Sequence, residues 1–238
     1  MTNIYNNILK AKTQGLKLLA ILLDPDKLLL ENIATLISKI NQSPATHIFV
    51  GGSLVENNII DELIAAIKQQ CTLPVILFPG SPSQISNKAD GILFLSLISG
   101  RNPDYLIGHQ VQAAPILKQT NLEIIPTAYI LIASGTETAV VTVSKTQPLD
   151  RNKTESILAT ALAGEMLGHK LLYLEAGSGA KYPVPLEVIQ LVSQNSTIPV
   201  IVGGGIRNHK GIAEAYKYGA DLVVIGTAFE NDFNFFNS

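Results

Sequence analysis

The 238-residue sequence has little cysteine and little charge, and each shortage excludes a class of protein. The single cysteine, Cys71, can form neither an internal disulfide nor a cysteine metal cluster, which suits a reducing cytoplasm. The net charge of −2 provides no basic field for a nucleic acid. Because no apolar run is long enough to span a bilayer, the sequence also predicts no transmembrane segment.

Apolar residues are abundant by contrast. They make up 47% of the sequence against 15% charged residues, and the mean hydropathy is +0.28. This apolar surface must be buried in a large core, in subunit interfaces or in a groove for a lipid ligand. The length favours a single barrel domain over residues 1–238. The composition also favours a homo-oligomer.

The segment 199–229 carries the most informative pattern in the sequence. Two apolar runs, 199–202 and 222–225, predict buried strands, and a segment with helical spacing separates them. The first strand leads into three glycines at 203–205 and the second into Gly226 and Thr227. Glycines at the carboxyl ends of strands expose backbone N–H groups, which attract a dianion. The segment therefore predicts a phosphate-bearing ligand at strands seven and eight of a barrel.

Alternation of strands and helices continues along the rest of the chain. Short apolar runs predict six further strands, at 16–23, 47–50, 75–78, 91–97, 123–131 and 171–174. Helical spacing predicts outer helices at 28–40, 57–69, 104–119, 152–167 and 185–194. Eight strands alternating with helices predict an α/β fold, a (β/α)8 TIM barrel.

The third connection departs from this pattern. Residues 79–90 include two prolines and few apolar residues in helical register, so we expect the third outer helix to be missing. A gap in the outer wall can expose a channel for a long apolar ligand. The connection at 132–149 is unusually long, and a lid is expected there.

Polar residues that end the strands are the candidates for chemistry, because the active site of this fold lies at that rim. The candidates are Asp24, Asp26, Lys27, Ser53, Ser96, Ser99, Thr127, Tyr129, Glu175, Ser178, Arg207 and Thr227. Carboxylates such as Asp24 and Glu175 can be metal ligands or acid–base groups. No His or Cys pair has zinc spacing, so a single Mg²⁺ on oxygen ligands shared with substrate phosphates is the simplest expectation. The four histidines are assigned no chemistry.

Seven segments together resemble the geranylgeranylglyceryl phosphate synthase family, which includes the bacterial heptaprenylglyceryl phosphate synthases. The segments are ILLDPDK (21–27), FVGGS (49–53), GILFLSLISGRNPDYLIGHQ (91–110), IIPTAYILI (124–132), YLEAGSGA (173–180), VGGGI (202–206) and VVIGTAF (223–229). The YLEAGSGA and DPDK segments are the specific ones, whereas GGGI and IGTAF are shared with many phosphate-binding barrels.

The resemblance implies a prenyltransferase that moves a geranylgeranyl or other long prenyl group from its diphosphate to the primary hydroxyl of sn-glycerol 1-phosphate. It implies that Asp24 and Ser53 hold Mg²⁺ and that Glu175 takes the proton of the attacking hydroxyl. The substrate-binding residues that it implies are Tyr173, Leu174, Glu175, Ala176, Gly177, Ser178, Gly179, Gly203, Gly204, Gly226 and Thr227. One departure is Leu22, where some bacterial relatives carry a lysine.

Two other functions remain open from the residues alone. The glycine-rich strand ends also suit a barrel isomerase or synthase of amino-acid or cofactor biosynthesis. Such an enzyme needs two acid–base groups across a small closed pocket. A non-catalytic subunit that binds a phosphate ligand is the third reading, and it predicts binding without turnover.

Overall fold

Eight parallel strands close into a barrel in the computed structural model, which describes residues 3–28, 32–53, 55 and 59–236. The strands are β1 (Leu18–Leu23), β2 (His47–Val50), β3 (Val75–Leu77), β4 (Gly91–Leu97), β5 (Glu123–Leu131), β6 (Leu171–Glu175), β7 (Val200–Gly203) and β8 (Leu222–Ile225). Each strand pairs with the next one along the chain, and β8 pairs with β1. The predicted (β/α)8 barrel is confirmed.

Helices surround the barrel and close its ends. They are α1 (Ile4–Thr13), α2 (Ile33–Asn41), α3 (Ile60–Gln70), α4 (His109–Leu117), α5 (Ala139–Ser144), α6 (Thr154–Met166), α7 (Leu186–Asn195), α8 (His209–Lys217) and α9 (Thr227–Asn231). A π-helical turn, Asp104–Gly108, precedes α4. In the part of the chain that the structure describes, no helix is long and apolar enough to cross a membrane.

Most element bounds agree with the sequence-based predictions, and the differences have local causes. The predicted helix start at Leu28 is wrong, because Leu28 is extended after a 3₁₀ turn at Pro25–Lys27. The predicted start of the next helix at Asn57 lies outside the described residues. Strand β1 begins later than predicted, at Leu18, and Leu16 before it is exposed. Helices α1, α5 and α9 were not predicted.

The core has two apolar layers, one inside the barrel and one between the barrel and the helices. In β6, Leu171 and Tyr173 belong to the inner layer, whereas Leu172 and Leu174 belong to the outer one. This alternation follows from the two-residue period of a strand, and it explains why barrel strands are apolar on both faces. Burial of both layers removes most of the apolar side chains of the strands from water.

Helix α1 closes the amino-terminal end of the barrel. Ile4 and Ile8 on this helix pack into the inner layer. The backbone N–H groups of Ile4 and Tyr5 donate to the carboxylate of Glu123, at 2.5 and 2.8 Å. A carboxylate at a helix amino terminus satisfies N–H groups that have no partner within the helix. Because this end is sealed, ligands must enter at the opposite rim.

The third outer helix is missing, as predicted. Residues 78–90, all of them described, contain a single 3₁₀ turn at Pro82–Gln84. The pairing of β3 with β4 ends where Leu77 lies opposite Ile92, whereas β4 stays paired to β5 as far as Leu97. The barrel wall is therefore open between the carboxyl-terminal half of β4 and the connection that follows β3.

Burial of His47 at the start of β2 leads to a prediction about stability. Burial lowers the pKa of His47 from 6.5 to about 4. Because the unfolded chain takes up this proton first, the folded state loses stability as the pH falls from 6.5 towards 4, by about 3 kcal/mol in total. We expect His47→Gln to show a shallower loss in this window. Urea unfolding at several pH values measures the difference, and equal pH slopes for the two proteins would contradict the assignment.

Candidate active site

The carboxyl ends of the strands surround an open cavity, here called the mouth. Most of the site residues predicted from the sequence line it, although they come from five different strand ends. They are Asp24, Ser53, Tyr173, Glu175, Gly177, Ser178, Gly179, Gly204, Gly226 and Thr227. The closed ring of strands brings these positions together.

Three of the metal-binding and substrate-binding residues that the resemblance implies do not line the mouth. The side chains of Leu174 and Ala176 point into the outer layer of the core, so they can offer a ligand only their backbone. Gly203 is buried at the end of β7, directly opposite Glu175 in the strand register.

The carboxylate of Glu175 is the most unusual ionisable group of the mouth. It ends β6 and is 5% exposed. Burial raises its pKa from 4.5 to about 7, although the N–H of Gly177, which donates to Oε1 at 2.5 Å, acts in the opposite direction. A carboxyl group with a pKa near 7 can both accept and release a proton at neutral pH. Glu175 therefore has the properties of a general base.

The hydroxyl of Tyr173 lies beside this carboxylate. A Cβ atom built on Gly203 would lie 2.6 Å from the Tyr173 hydroxyl and 2.9 Å from Glu175 Oε2, so both groups crowd the same glycine. The hydroxyl helps to lower the pKa of Glu175, yet it makes no hydrogen bond of ordinary geometry within the described residues. An unpaired buried hydroxyl costs about 1–3 kcal/mol, which a polar ligand atom would offset.

Two glycine loops meet above Glu175. Gly177 and Gly204 have φ angles of +96° and +79°, which favour glycine strongly. A side chain on Gly204 would collide with the Glu175 carboxylate and come within 2.6 Å of the Gly177 nitrogen. At Gly177 and Gly204 the two loops thus offer only backbone to this side of the mouth. Such a surface suits a small phosphate ester that is held by N–H groups.

Asp24 and Ser53 lie on the opposite side of the mouth. The Asp24 carboxylate packs against Gly52, because a Cβ atom built there would lie 3.2–3.3 Å from it, and Ser53 follows in sequence. No group of three His, Cys, Asp or Glu side chains able to hold a metal occurs among the described residues. One carboxylate and one hydroxyl do fit Mg²⁺, which keeps several waters and shares substrate phosphates.

An ionic cluster that the sequence did not reveal lies next to Asp24. Lys27 Nζ is 3.2 Å from Asp24 Oδ2 and 3.2 Å from Glu230 Oε2. Glu230 also accepts the N–H of Asp24 at 3.2 Å, and burial raises its pKa while Lys27 opposes that shift. Lys27 was a candidate from its position after β1, but no sequence signal joins it to Glu230 on α9.

An aromatic wall separates the mouth from a second cavity. Phe78 stacks on Tyr173 with ring centroids 5.3 Å apart, and Tyr129 meets both rings edge to face at 5.8 and 5.3 Å. Burial, together with the charge of Glu175, raises the pKa of Tyr129 and of Tyr173 well above 10, so both stay neutral.

The second cavity is an apolar groove, and it follows the gap that the missing helix leaves. Its wall includes Phe94 on β4 and Tyr105 and Ala113 on the segment leading through α4. Ser53, Phe78, Tyr129 and Val140 line both the groove and the mouth, so the two cavities adjoin each other across these side chains.

Helix α5 covers this junction, within the connection where the sequence predicts a lid. Val140 lines both cavities and Val143 lines the groove. The hydroxyl of Tyr105 donates to the carbonyl of Val143 at 3.1 Å, and the amide of Asn102 donates to that of Ser144 at 2.8 Å. Both bonds hold α5 over the groove.

Some of the other polar candidates have structural roles. The Ser99 hydroxyl accepts the N–H of Leu131 at 2.9 Å, and the Thr127 hydroxyl donates to the carbonyl of Ile125 at 2.9 Å. Gln110 was not a candidate. Its amide nitrogen donates to the carbonyl of Leu95 on β4, and its amide oxygen lacks a partner among the described residues.

Comparison with known proteins gives one consistent answer. The chain is 69% identical to the geranylgeranylglyceryl phosphate synthase of Flavobacterium johnsoniae, covering 100% of this chain and 98% of that protein. It is 46% identical to the enzyme of the same name from Thermococcus kodakarensis, covering 92% and 86% of the two chains.

Solved structures agree with these relatives. The crystal structure of (S)-3-O-geranylgeranylglyceryl phosphate synthase from Thermoplasma acidophilum in complex with its substrate sn-glycerol-1-phosphate has a TM-score of 0.93 at 37% identity, covering 100% and 95% of the chains. The N-acetylmannosamine-6-phosphate 2-epimerase from Clostridium perfringens, at 17% identity and a TM-score of 0.56, shares the fold alone. The sequence profile of the PcrB family matches residues 8–237. The chain therefore belongs to the PcrB family.

Proposed function

We propose that this protein transfers a geranylgeranyl or other long prenyl group from its diphosphate to the primary hydroxyl of sn-glycerol 1-phosphate. The observation that carries this proposal is the position of Glu175, a buried base in a mouth with glycine loops that adjoins an apolar groove. The substrate in the Thermoplasma acidophilum complex and the names of the relatives support it.

The acceptor occupies the glycine-rich side of the mouth. In this proposal residues 173–179 and the strand ends at Gly203, Gly204, Gly226 and Thr227 hold sn-glycerol 1-phosphate. The phosphate meets backbone N–H groups, and the primary hydroxyl lies beside Glu175 and the unpaired hydroxyl of Tyr173.

The prenyl donor spans both cavities. Its tail lies in the apolar groove behind Phe78 and Tyr129, and its diphosphate lies in the mouth near Asp24 and Ser53. These two residues would hold Mg²⁺, which neutralises the charge of the departing diphosphate. The aromatic wall excludes water from the allylic carbon and offers it electron-rich ring faces as positive charge develops there.

Glu175 removes the proton of the acceptor. The hydroxyl oxygen of glycerol phosphate forms the new bond to C1 of the prenyl group, the bond from C1 to the diphosphate oxygen breaks, and the proton passes to the Glu175 carboxylate. One base is enough, because the diphosphate leaves as an anion and needs no proton from a general acid.

The isomerase alternative is not favoured. It requires a small closed pocket, whereas the mouth adjoins a groove that has no role in reactions of small sugar phosphates.

We also propose a homo-oligomer in the cytoplasm. Exposed apolar side chains support an interface, namely Val111 on α4 and Met166 and Leu167 at the end of α6, which are 64%, 84% and 73% exposed.

The crowding at Gly203 predicts the effect of a single methyl group. Gly203→Ala would push the Tyr173 hydroxyl and the Glu175 carboxylate away from the acceptor, so kcat/KM for sn-glycerol 1-phosphate should fall about 100-fold. Steady-state kinetics measure this change. Gly211→Ala on α8 is the matched control, because its nearest neighbour would be 3.4 Å away. Equal activity of both variants would contradict the geometry.

The raised pKa of Glu175 predicts a pH profile. The base must be ionised, so kcat at saturating substrate should rise with pH through about 7 and be lost below it. Glu175→Gln should lower kcat by about 10²–10⁴-fold, retain acceptor binding and lose this pH dependence. Glu187→Gln, on the exposed face of α7, is the control. A glutamine variant that kept the wild-type profile would exclude Glu175 as the base.

Turnover with a series of donors tests the function as a whole. Labelled sn-glycerol 1-phosphate is incubated with prenyl diphosphates of increasing length, in Mg²⁺ or in EDTA. We expect a prenyl ether product in Mg²⁺, its loss in EDTA, and a best donor whose tail fills the groove. Absence of product with every donor would refute the transferase, and product formation in EDTA would refute the metal requirement alone.

A further inference from the structure

Lys27 is the cation of the mouth that lies nearest to the predicted metal ligands. It follows β1 in the turn Pro25–Lys27, and its ammonium group bridges Asp24 and Glu230 at 3.2 Å each. The side chain is 46% exposed and lines the mouth. It can therefore contact a ligand without leaving its acidic partners.

Glu230 fixes the position of this lysine. Its side chain is 8% exposed on α9, and it accepts both the Lys27 ammonium and the backbone N–H of Asp24. These contacts join the end of β1 to the segment after β8, across the seam that closes the barrel. The lysine thus has a second partner that does not belong to the predicted metal site.

The charges of the mouth explain why a second cation is needed there. Asp24, Glu175 and Glu230 line the mouth together with the cations Lys27 and Arg207. The Arg207 guanidinium donates to the carbonyl of Ala180 at 2.8 Å, on the glycine-rich side. A diphosphate bound near Asp24 brings more negative charge than one divalent cation neutralises, and Lys27 is the group placed to balance the rest.

We propose that Lys27 binds the diphosphate of the prenyl donor and that Glu230 is the positioning residue that holds Lys27 for this role. The inference rests on the proposed prenyl transfer. When Asp24 is engaged by a cation, the ammonium group keeps Glu230 and directs its remaining N–H bonds to phosphate oxygens. Without the charge of Glu230, Lys27 would pair with Asp24 alone and compete with the metal for that carboxylate.

Binding of inorganic pyrophosphate tests the role of Lys27 without any turnover. Isothermal titration in Mg²⁺ should show about tenfold weaker binding for Lys27→Met and near wild-type binding for Lys27→Arg, because one charge-assisted hydrogen bond is lost or kept. Binding of sn-glycerol 1-phosphate should stay unchanged. Lys68→Met is the matched control, since Lys68 is 40% exposed and pairs with Asp90 on the outer surface at 2.6 Å.

Glu230→Gln tests the positioning role, because glutamine can still accept the N–H of Asp24. The Mg²⁺ concentration that half-saturates pyrophosphate binding should rise several-fold in this variant. The double variant Lys27→Met/Glu230→Gln lacks the ammonium group that competes with Mg²⁺ for Asp24. Its half-saturating Mg²⁺ concentration should therefore equal that of Lys27→Met. An unchanged Mg²⁺ requirement in Glu230→Gln would overturn the positioning role.

The two proposals can fail separately. Wild-type pyrophosphate binding in Lys27→Met, with normal turnover of the wild-type protein, would overturn the role of Lys27 and leave the prenyl transfer standing. If the wild-type protein forms no prenyl ether from any donor, but Lys27→Met still weakens pyrophosphate binding, the transferase fails and the diphosphate site remains.

Discussion

Parallel strands that close into a ring place all their carboxyl ends on one rim, and the chemistry of this protein depends on that constraint. Glu175 on β6 lies in register with Gly203 on β7, so the proposed base and the glycine that leaves room for it come from neighbouring strands. Asp24 and Glu230 are far apart in the chain, yet they touch because β8 pairs with β1. Sealing of the opposite end by α1 leaves this rim as the entrance for ligands.

The position of Glu175 has a cost in stability that its proposed role as a base would explain. A pKa near 7 instead of 4.5 means that the folded protein disfavours the ionised form by about 3 kcal/mol. A more exposed carboxylate would avoid this cost, but it would be a weaker base, and water would surround it. In the proposed reaction, the same burial that raises the pKa would keep water away from the allylic carbon. Stability and catalysis therefore set opposite demands on this one side chain.

Local patterns were enough to predict most of the fold. The bounds of β2, β4, β5 and β8 agree with the predictions, because a short apolar run between turn residues is a signal that lies within the run itself. The missing third helix was equally visible as a proline-containing segment with few apolar residues. Helices α5 and α9 are five or six residues long and have too few turns to show a period.

Site residues could be predicted from the sequence where their position follows from the strand that they end. They could not be predicted where two residues meet only because the barrel closes. Asp24 and Glu175 directly follow or end apolar strands, so their place on the rim could be inferred from the sequence. The contact of Lys27 with Glu230 joins residues 203 positions apart, and no pattern within either segment indicates it. Leu174 and Ala176 show a second limit. They lie in a segment that was predicted to bind substrate, but their side chains belong to the outer layer of the core.

In the proposed prenyl transfer, the open wall between β3 and β4 would resolve a conflict between the two substrates. A polar mouth large enough for a diphosphate and a glycerol phosphate would be filled with water, in which an allylic cation would be captured before the acceptor reached it. A groove outside the barrel would hold the tail apart from the mouth, and Phe78 and Tyr129 lie at the boundary between the two cavities. The reacting carbon then lies at the boundary, with rings on one side and the acceptor hydroxyl on the other. Loss of one outer helix thus supplies the apolar volume that a complete barrel of this size, filled by its own side chains, does not have.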